Sequence, residues 1–340
     1  IRANGQDGDY GRGSGGGIYL EVGRLSGGGI VEAVGGRNTA SVSSSFGGGG
    51  GGGRIAIYYD ELDGFDLSNR VSAAGGKGEN TSSYDGATGT VYLEKAGGTG
   101  ELIIDRKTGG GGTSWIWMPE GAATYAGDLK ISGAMVVEQR SANFMPTNLY
   151  LVNGAVLKYR ACTATTVYSL DLNVPGRLCI SSDSAIDAGG RGYLGGRTHP
   201  NTTNGASTGR AGGSYGGLGG NYSSGRANAP YGDFRNPNEP GSGAYLYGAG
   251  GGNRAGGGLV RIVTGSLELE GAIRANGQDG DYGRGSGGGI YLEVGRLGGG
   301  GIVEAVGGRN TADVGTYFGG SGGGGRIAIY YDELDGFDLS

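Results

Sequence analysis

Three segments in the middle of the chain constrain its fold more than any other feature. DLKISGAMVVEQ begins at Asp128, NLYLVNGAVLKYR at Asn148 and SLDLNVPGRLCIS at Ser169, so successive starts lie 20 and 21 residues apart. Each segment holds a short alternating strand, a glycine corner and a second strand. A period of this size is the perimeter of one coil of a parallel β-helix, in which a turn cannot bury its apolar face alone and stacks on the next. Alternation along a strand sends Leu129, Ile131, Leu149, Leu151, Leu170 and Leu172 inward and Lys130, Tyr150 and Asp171 outward.

The rest of the chain follows the same plan with insertions. Return strands open as GIYLEV at Gly17, RIAIYY at Arg54, TVYLEK at Thr90 and GLVRIV at Gly258. A second strand closes on a shared signature: a β-branched residue, any residue, Ala, any residue, Gly. It reads Val31 to Gly35, Val71 to Gly75, Ile186 to Gly190 and Ile273 to Gly277. A glycine-rich excursion follows each signature, the longest from about 189 to 257.

A longer repeat encloses these coils. IRANGQDGDYGRGSGGGIYLEVGRL, the start of the chain at Ile1, returns at Ile273 and runs on to Ser340. The two copies differ at Ser26/Gly298, Ser41/Asp313, Ser43/Gly315, Ser44/Thr316, Ser45/Tyr317 and Gly49/Ser321, all in Gly/Ser-rich stretches. Residues 1–272 therefore read as one full tandem repeat and 273–340 as the start of the next, a window on a long array. Counting return strands gives roughly eight coils per repeat, an advance on the order of 40 Å at about 4.8 Å per strand.

Glycine supplies 86 of 340 residues, without the strict every-third-residue period of collagen. Disorder would be the default for such a composition, but the recurring Ile, Val, Leu and Tyr runs can bury a continuous apolar strip. The expected fold is all-β: a right-handed parallel β-helix, or β-solenoid, since right-handed crossovers dominate between parallel strands. The glycine-rich excursions, including Gly47 to Gly53 and Gly212 to Gly220, are expected to pack as polyglycine-II-like helices. Mobile loops are the alternative, disfavoured because disorder recurring at every coil would oppose compactness. A net charge of −5 with no basic cluster excludes a nucleic-acid face, and no apolar run is long enough to span a membrane.

Chemistry-bearing residues are sparse. Asp60, Glu61, Asp63 and Asp66 crowd one turn and recur as Asp332, Glu333, Asp335 and Asp338. Several carboxylates in one turn suit a hard cation, so structural calcium is the one cofactor this pattern suggests, with a solvated acidic turn as the alternative. Asp7 and Asp9, in Asn4-Gly5-Gln6-Asp7-Gly8-Asp9, form a second acidic loop, and neither matches a known calcium-loop spacing. No other cofactor is expected. Trp115 and Trp117 share a strand face, either as a packed pair or as a stacking platform for a glycan. Tyr19, Tyr92 and Tyr150 occupy one outward slot. Asn80, Asn201 and Asn221 fit the Asn-x-Ser/Thr glycosylation pattern. Cys162 and Cys179 read either as a disulfide between coils or as two thiols. His199, the single histidine, lies in a polar loop with no partner to make it catalytic.

GGGGGGRIAIYYDELDGFD and SGGGIYLEVGRLSGGG resemble the glycine-rich repeats of very large secreted or cell-surface bacterial proteins, adhesin-like in kind. The resemblance covers roughly residues 1–100 and 258–340; between 101 and 188 the chain resembles generic β-helix. It implies an extracellular location and a structural or adhesive role, and brings no catalytic residues. The expectation is a non-enzymatic shaft of an extracellular filament or giant surface fibre, partnered by itself, through further repeats or head-to-tail stacking. A carbohydrate- or surface-binding adhesin, with surface glycans as partners, is the first alternative. A β-helical polysaccharide lyase is the second, to be abandoned if no outward face brings Asp/Glu within reach of Arg/Lys.

Overall fold

The structure is a computed structural model. It describes residues 1–9, 11–39, 47–78, 84–106, 113–116, 124–140, 144–245, 254–280, 282–309 and 318–340, the side chains of 115 and 116 excepted. In chain order the elements are β1 (Gly17–Ser26), β2 (Val31–Glu32), β3 (Arg54–Asp63), α1 (Leu67–Arg70), β4 (Val71–Ser72), β5 (Thr90–Lys95), β6 (Glu101–Asp105), β7 (Ser114–Ile116), β8 (Asp128–Ser132) and β9 (Val136–Gln139). They continue as β10 (Leu149–Val152), β11 (Val156–Tyr159), β12 (Leu170–Ile180), β13 (Ala185–Asp187), β14 (Leu259–Leu269), β15 (Ala272–Arg274), β16 (Gly289–Gly298), β17 (Ile302–Glu304) and β18 (Arg326–Asp335). The fold is all-β with long, largely parallel sheets.

Two compact units divide the chain, Ile1–Val156 with Cys179–Ser184, and Leu157–Leu178 with Ala185–Ser340. This division in space is distinct from the sequence repeat that restarts at residue 273. In the first unit the long sheet runs β1-β3-β5-β6-β8-β10, with β7 on β9 and β2 on β4 as separate short pairs. In the second, β12, β14, β16 and β18 neighbour one another in that order, while β13, β15 and β17 form the accompanying parallel ladder.

Strand alternation places the core where the sequence implies. Leu149 pairs with Leu129 and Leu151 with Ile131, all four buried, while Lys130 between them is exposed. Leu170 and Leu172 are also buried, with Asp171 exposed. The Ala signature continues each short strand as a ladder: Ala3 N donates to Glu32 O and Gly5 N to Val34 O, then Ala33 N to Ser72 O and Gly35 N to Ala74 O. Ala188, Gly190, Ala275 and Gly277 repeat the pattern in the second unit.

One pair departs from the all-parallel expectation. β5 and β6 are antiparallel, with Val91 opposite Ile103 and Leu93 opposite Glu101. The intervening Ala96–Gly100 turn reverses the chain within a few residues. Gly97 and Gly100 take φ of 76° and 75°, the left-handed region open to glycine, and Gly98 N closes the turn on Lys95 O at 2.8 Å. The sheet is therefore mixed.

The described glycine tracts are hydrogen-bonded to one another. Gly86 N donates to Gly76 O, Gly76 N to Gly50 O, Gly50 N to Gly36 O, Gly36 N to Gly13 O and Gly13 N to Gln6 O, at 2.7 to 3.1 Å. The second copy repeats the inner steps, Gly322 to Gly308 to Gly285 to Gln278. A Cβ at Gly50 would overlap the carbonyl oxygen of Gly13, and one at Gly86 would overlap that of Gly50. Glycine is needed here for closeness of approach, so that backbone donors find partners in neighbouring tracts.

Candidate functional surface

The acidic loop at Asn4 is a connector between successive segments. Asn4 Oδ1 accepts from Val34 N at 2.9 Å and Asp7 Oδ1 from Arg37 N at 2.7 Å, each 30 residues ahead, and Asp9 Oδ1 accepts from the Thr39 hydroxyl at 2.8 Å. Asn276 on Val306 and Asp279 on Arg309 repeat the first two bonds in the other copy. Arg12 fastens the same loop by donating to Gly8 O and Asp9 O. Its counterpart Arg284 is buried, with Nε 2.7 Å from Gly280 O.

The second acidic cluster is likewise dispersed. Asp60, Glu61 and Asp63 are exposed on β3, where Asp63 pairs with Arg24. Asp66 caps α1, its Oδ1 accepting from Ser68 N and Asn69 N at 3.0 Å and its Oδ2 from the Asn69 side chain at 2.8 Å. These bonds, Ser68 first, hold its carboxyl at a pKa of about 2. Among the described residues no three His, Cys, Asp or Glu side chains gather closely enough to share a metal ion. Asp7, Asp9, Asp63 and Asp66 thus each engage an oxygen in a local hydrogen bond or ion pair.

An aromatic strip runs from the outer face of the first unit, at Tyr19, inward to the buried Phe144. Tyr19, 65 % exposed, lies 5.4 Å from Tyr58 between ring centroids; Tyr58 lies 5.7 Å from Tyr92, Tyr92 6.5 Å from Tyr125, and Tyr125 stacks on Phe144 at 5.0 Å. Tyr19 donates to Glu21 Oε2 at 3.1 Å, and Tyr92 donates to Glu94. The Glu21 bond raises the Tyr19 pKa, whereas burial is the main cause at Tyr92, with Glu94 second. Tyr150 lies apart from the described stack, in register with Lys130. The strip's further members, Tyr125 and Phe144, lie between strands and had no strand pattern to reveal them. Below α1, a cavity of about 350 Å³ is lined by Leu67, Val71, Val91, Leu93 and Ile103, with Glu101 at its wall. Burial raises the pKa of that carboxyl.

The second unit repeats the start of the same strip beside the long excursion. Tyr291 and Tyr330 lie 5.5 Å apart, and the Arg261 guanidinium sits 4.2 Å over Tyr291. The long excursion lies on this face: Tyr330 donates to Arg235 O at 2.7 Å and Arg326 to Tyr231 O at 3.0 Å. Inside the excursion Asn228 is a buried hub, accepting from Ser214 N at 2.8 Å and the Ser207 hydroxyl at 3.0 Å while donating to Thr198 and Ser242. His199 stacks on Tyr231, with ring centroids 5.2 Å apart, and its Nδ1 lies 3.3 Å from the Tyr193 hydroxyl.

The remaining candidates scatter. Trp117, the Trp115 side chain and Asn80 lie outside the described residues. Asn201 donates to Thr163 O at 3.2 Å, and Asn221 is exposed with Oδ1 accepting from Ala227 N. Cys162 and Cys179 are both thiols, so a disulfide between them is not formed. Outward acid–arginine pairs do occur, Arg296 with Asp335 at 2.5 Å, Arg24 with Asp63, and Arg177 with Glu268. The condition for setting the lyase reading aside is therefore not met by geometry alone. The first two pairs occupy equivalent positions in the two copies and tie neighbouring strands. No protein-family model, curated protein or solved structure matches the chain.

Proposed function

We propose that this chain is part of the shaft of an extracellular filament or giant surface fibre, a right-handed β-solenoid of tandem 272-residue units with polyglycine-II-like outer layers. The observation that carries the reading is the recurrence of one bonding scheme in two places. Asn4 on Val34 and Asp7 on Arg37 reappear as Asn276 on Val306 and Asp279 on Arg309, beside parallel strands in matched register. A unit that rebuilds its own contacts whenever its sequence recurs is suited to serial stacking. Backbone hydrogen bonds directed from coil to coil would resist extension and proteolysis, which fits a tether or matrix strand. In this reading the chain is a structural protein with no catalytic role, and among the described residues no helix is long and apolar enough to cross a membrane.

Electron microscopy of the native material tests it. Filaments with an axial repeat on the order of 40 Å and a strand spacing of about 4.8 Å are expected. Isolated globular particles would sink the fibre reading.

A glycan-binding shaft is the second reading, favoured by the exposed Tyr19 ring and its line through Tyr58 and Tyr92. Glycan-array binding that disappears in Tyr19→Ala would support it.

A further inference from the structure

The repeated segment supplies its own control, because identical strands lie in two different settings. β3 and β18 share the sequence RIAIYYDELD, yet Ile55 of β3 is 2 % exposed and its counterpart Ile327 of β18 is 41 % exposed. β5 makes the difference: it lies parallel on β3, with Val91 opposite Ile55 and Leu93 opposite Ile57. The glycine layer agrees. A Cβ at Gly52 would overlap Ala73 O, whereas at the equivalent Gly324 it would meet nothing within 4 Å.

The other edge gives the complementary comparison. Ile1 is 64 % exposed and Ile273 is fully buried. β16 is covered by β14, with Val260 opposite Ile290 and Ile262 opposite Leu292, and its equivalent β1 has β3 as its only neighbour in the described sheet. A Cβ at Gly29 would meet nothing within 4 Å, while at Gly301 it would overlap Gly271 O.

From these pairs we infer that the two open edges are docking surfaces for further stretches of the same repeat, each with its own occupant and register. β18 accepts a strand of the β5 sequence, setting Val91 and Leu93 against Ile327 and Ile329. β1 accepts a strand of the β14 sequence, setting Val260 and Ile262 against Ile18 and Leu20. Unpaired strand N–H and C=O groups supply the bonding and the inward alternation supplies the register. The glycine layer transfers with one adjustment: Ser321 stands where the first copy has Gly49, whose added Cβ would overlap Gly76 O, so the incoming tract shifts there. The assignment rests on the tandem-array reading and adds to it which strand meets which edge.

The test lengthens the chain in its own register. Ser340 is the counterpart of Ser68, so residues 69–105 are appended directly after it in a protein carrying Ile327→Cys, and maleimide labelling is followed at position 327. Buried Cys162 reports in every sample that the second unit remains folded. In the 340-residue chain Cys at 327 labels readily; in the extended chain that labelling is lost. Val91→Asp with Leu93→Asp in the appended segment restores it. Residues 185–272 placed before Ile1, with Ile1→Cys, test the other edge in the same way, because they supply both β14 and the Ile186 strand with which Ile273 pairs. Labelling at 327 unchanged by the extension, or lost equally with the two aspartates present, overturns the assignment. Microscopy separates the two readings: filaments with position 327 still reactive remove the edge assignment alone, and protection without filaments removes the fibre alone.

Discussion

The Tyr159 hydroxyl accepts a hydrogen bond from the backbone N–H of Leu259 at 2.7 Å, joining positions 100 residues apart in the sequence. Tyr159 is buried, and the bond falls at the first residue of β14, where the excursion ends and the sheet resumes. Tyr159→Phe would keep the ring and leave a buried N–H without an acceptor, at a cost of about 1–3 kcal/mol. Urea denaturation followed by circular dichroism measures it; an unchanged midpoint would show that the bond is dispensable.

Burial also raises the pKa of Tyr159, Tyr215 and Tyr231 above the ordinary value of 10.0. A folded-state pKa above the unfolded one contributes stability that is complete below pH 10 and lost as pH climbs beyond it, where the unfolded chain ionises first. The unfolding midpoint should be insensitive to these groups at neutral pH and fall above pH 10. A midpoint that stays level through that range would contradict the assignment.

Asp66 gives the opposite sign. Its folded pKa of about 2 lies below the ordinary 3.8, so its contribution is present above pH 3.8 and fades as pH falls toward 2. Asp66→Asn keeps a capping oxygen and removes the titration. The amide resonances of Ser68 and Asn69 should shift through this window in the wild type and stay fixed in the variant.

The glycine layer predicts position-dependent tolerance of a single methyl group. Gly50→Ala forces a Cβ onto Gly13 O and should destabilise by about 1–3 kcal/mol, as overpacking does. Gly324→Ala, with nothing within 4 Å of its Cβ, should be close to neutral in the 340-residue chain. Thermal melts of the two variants compare them directly, and equal losses would mean that the tracts are not packed as described.

Asn228→Ala should loosen the excursion selectively. It removes the buried acceptor for Ser214 N, at a cost of about 1–3 kcal/mol, and the donor to Thr198 and Ser242, whose hydroxyls still bond each other. Hydrogen exchange should accelerate between residues 207 and 242 while β3 retains its protection. Uniform acceleration across the chain would make Asn228 a determinant of global stability.

How much of this was legible in advance depends on the range of the physics involved. Leu129, Ile131, Leu149 and Leu151 could be placed because strand alternation is local and their burial follows from it. The β5–β6 reversal could not, since AGGTG resembles every other glycine corner until the φ values of Gly97 and Gly100 are known. For Asp66 and Asp7 the sequence leaves two uses of a turn carboxylate unseparated, since the same oxygens can hold a cation, cap a helix or accept a backbone N–H. The Asn228 hub had no sequence signature at all: its partners, from Thr198 to Ser242, are assembled only by the path of the excursion.

The bonds from Asn4 to Val34 and from Asp7 to Arg37 carry a consequence for how such a chain changes over time. Both span the same interval, so together they act as a gauge on the length of peptide between them. A substitution within that interval leaves the gauge reading unaltered, but one inserted residue displaces both contacts at once and turns the following strand's apolar face outward. Drift by replacement at the exposed positions of the interval is therefore tolerated, while the close-packed glycines such as Gly15 are not free to change, and drift by insertion is expected to be confined to stretches lying outside the gauged interval.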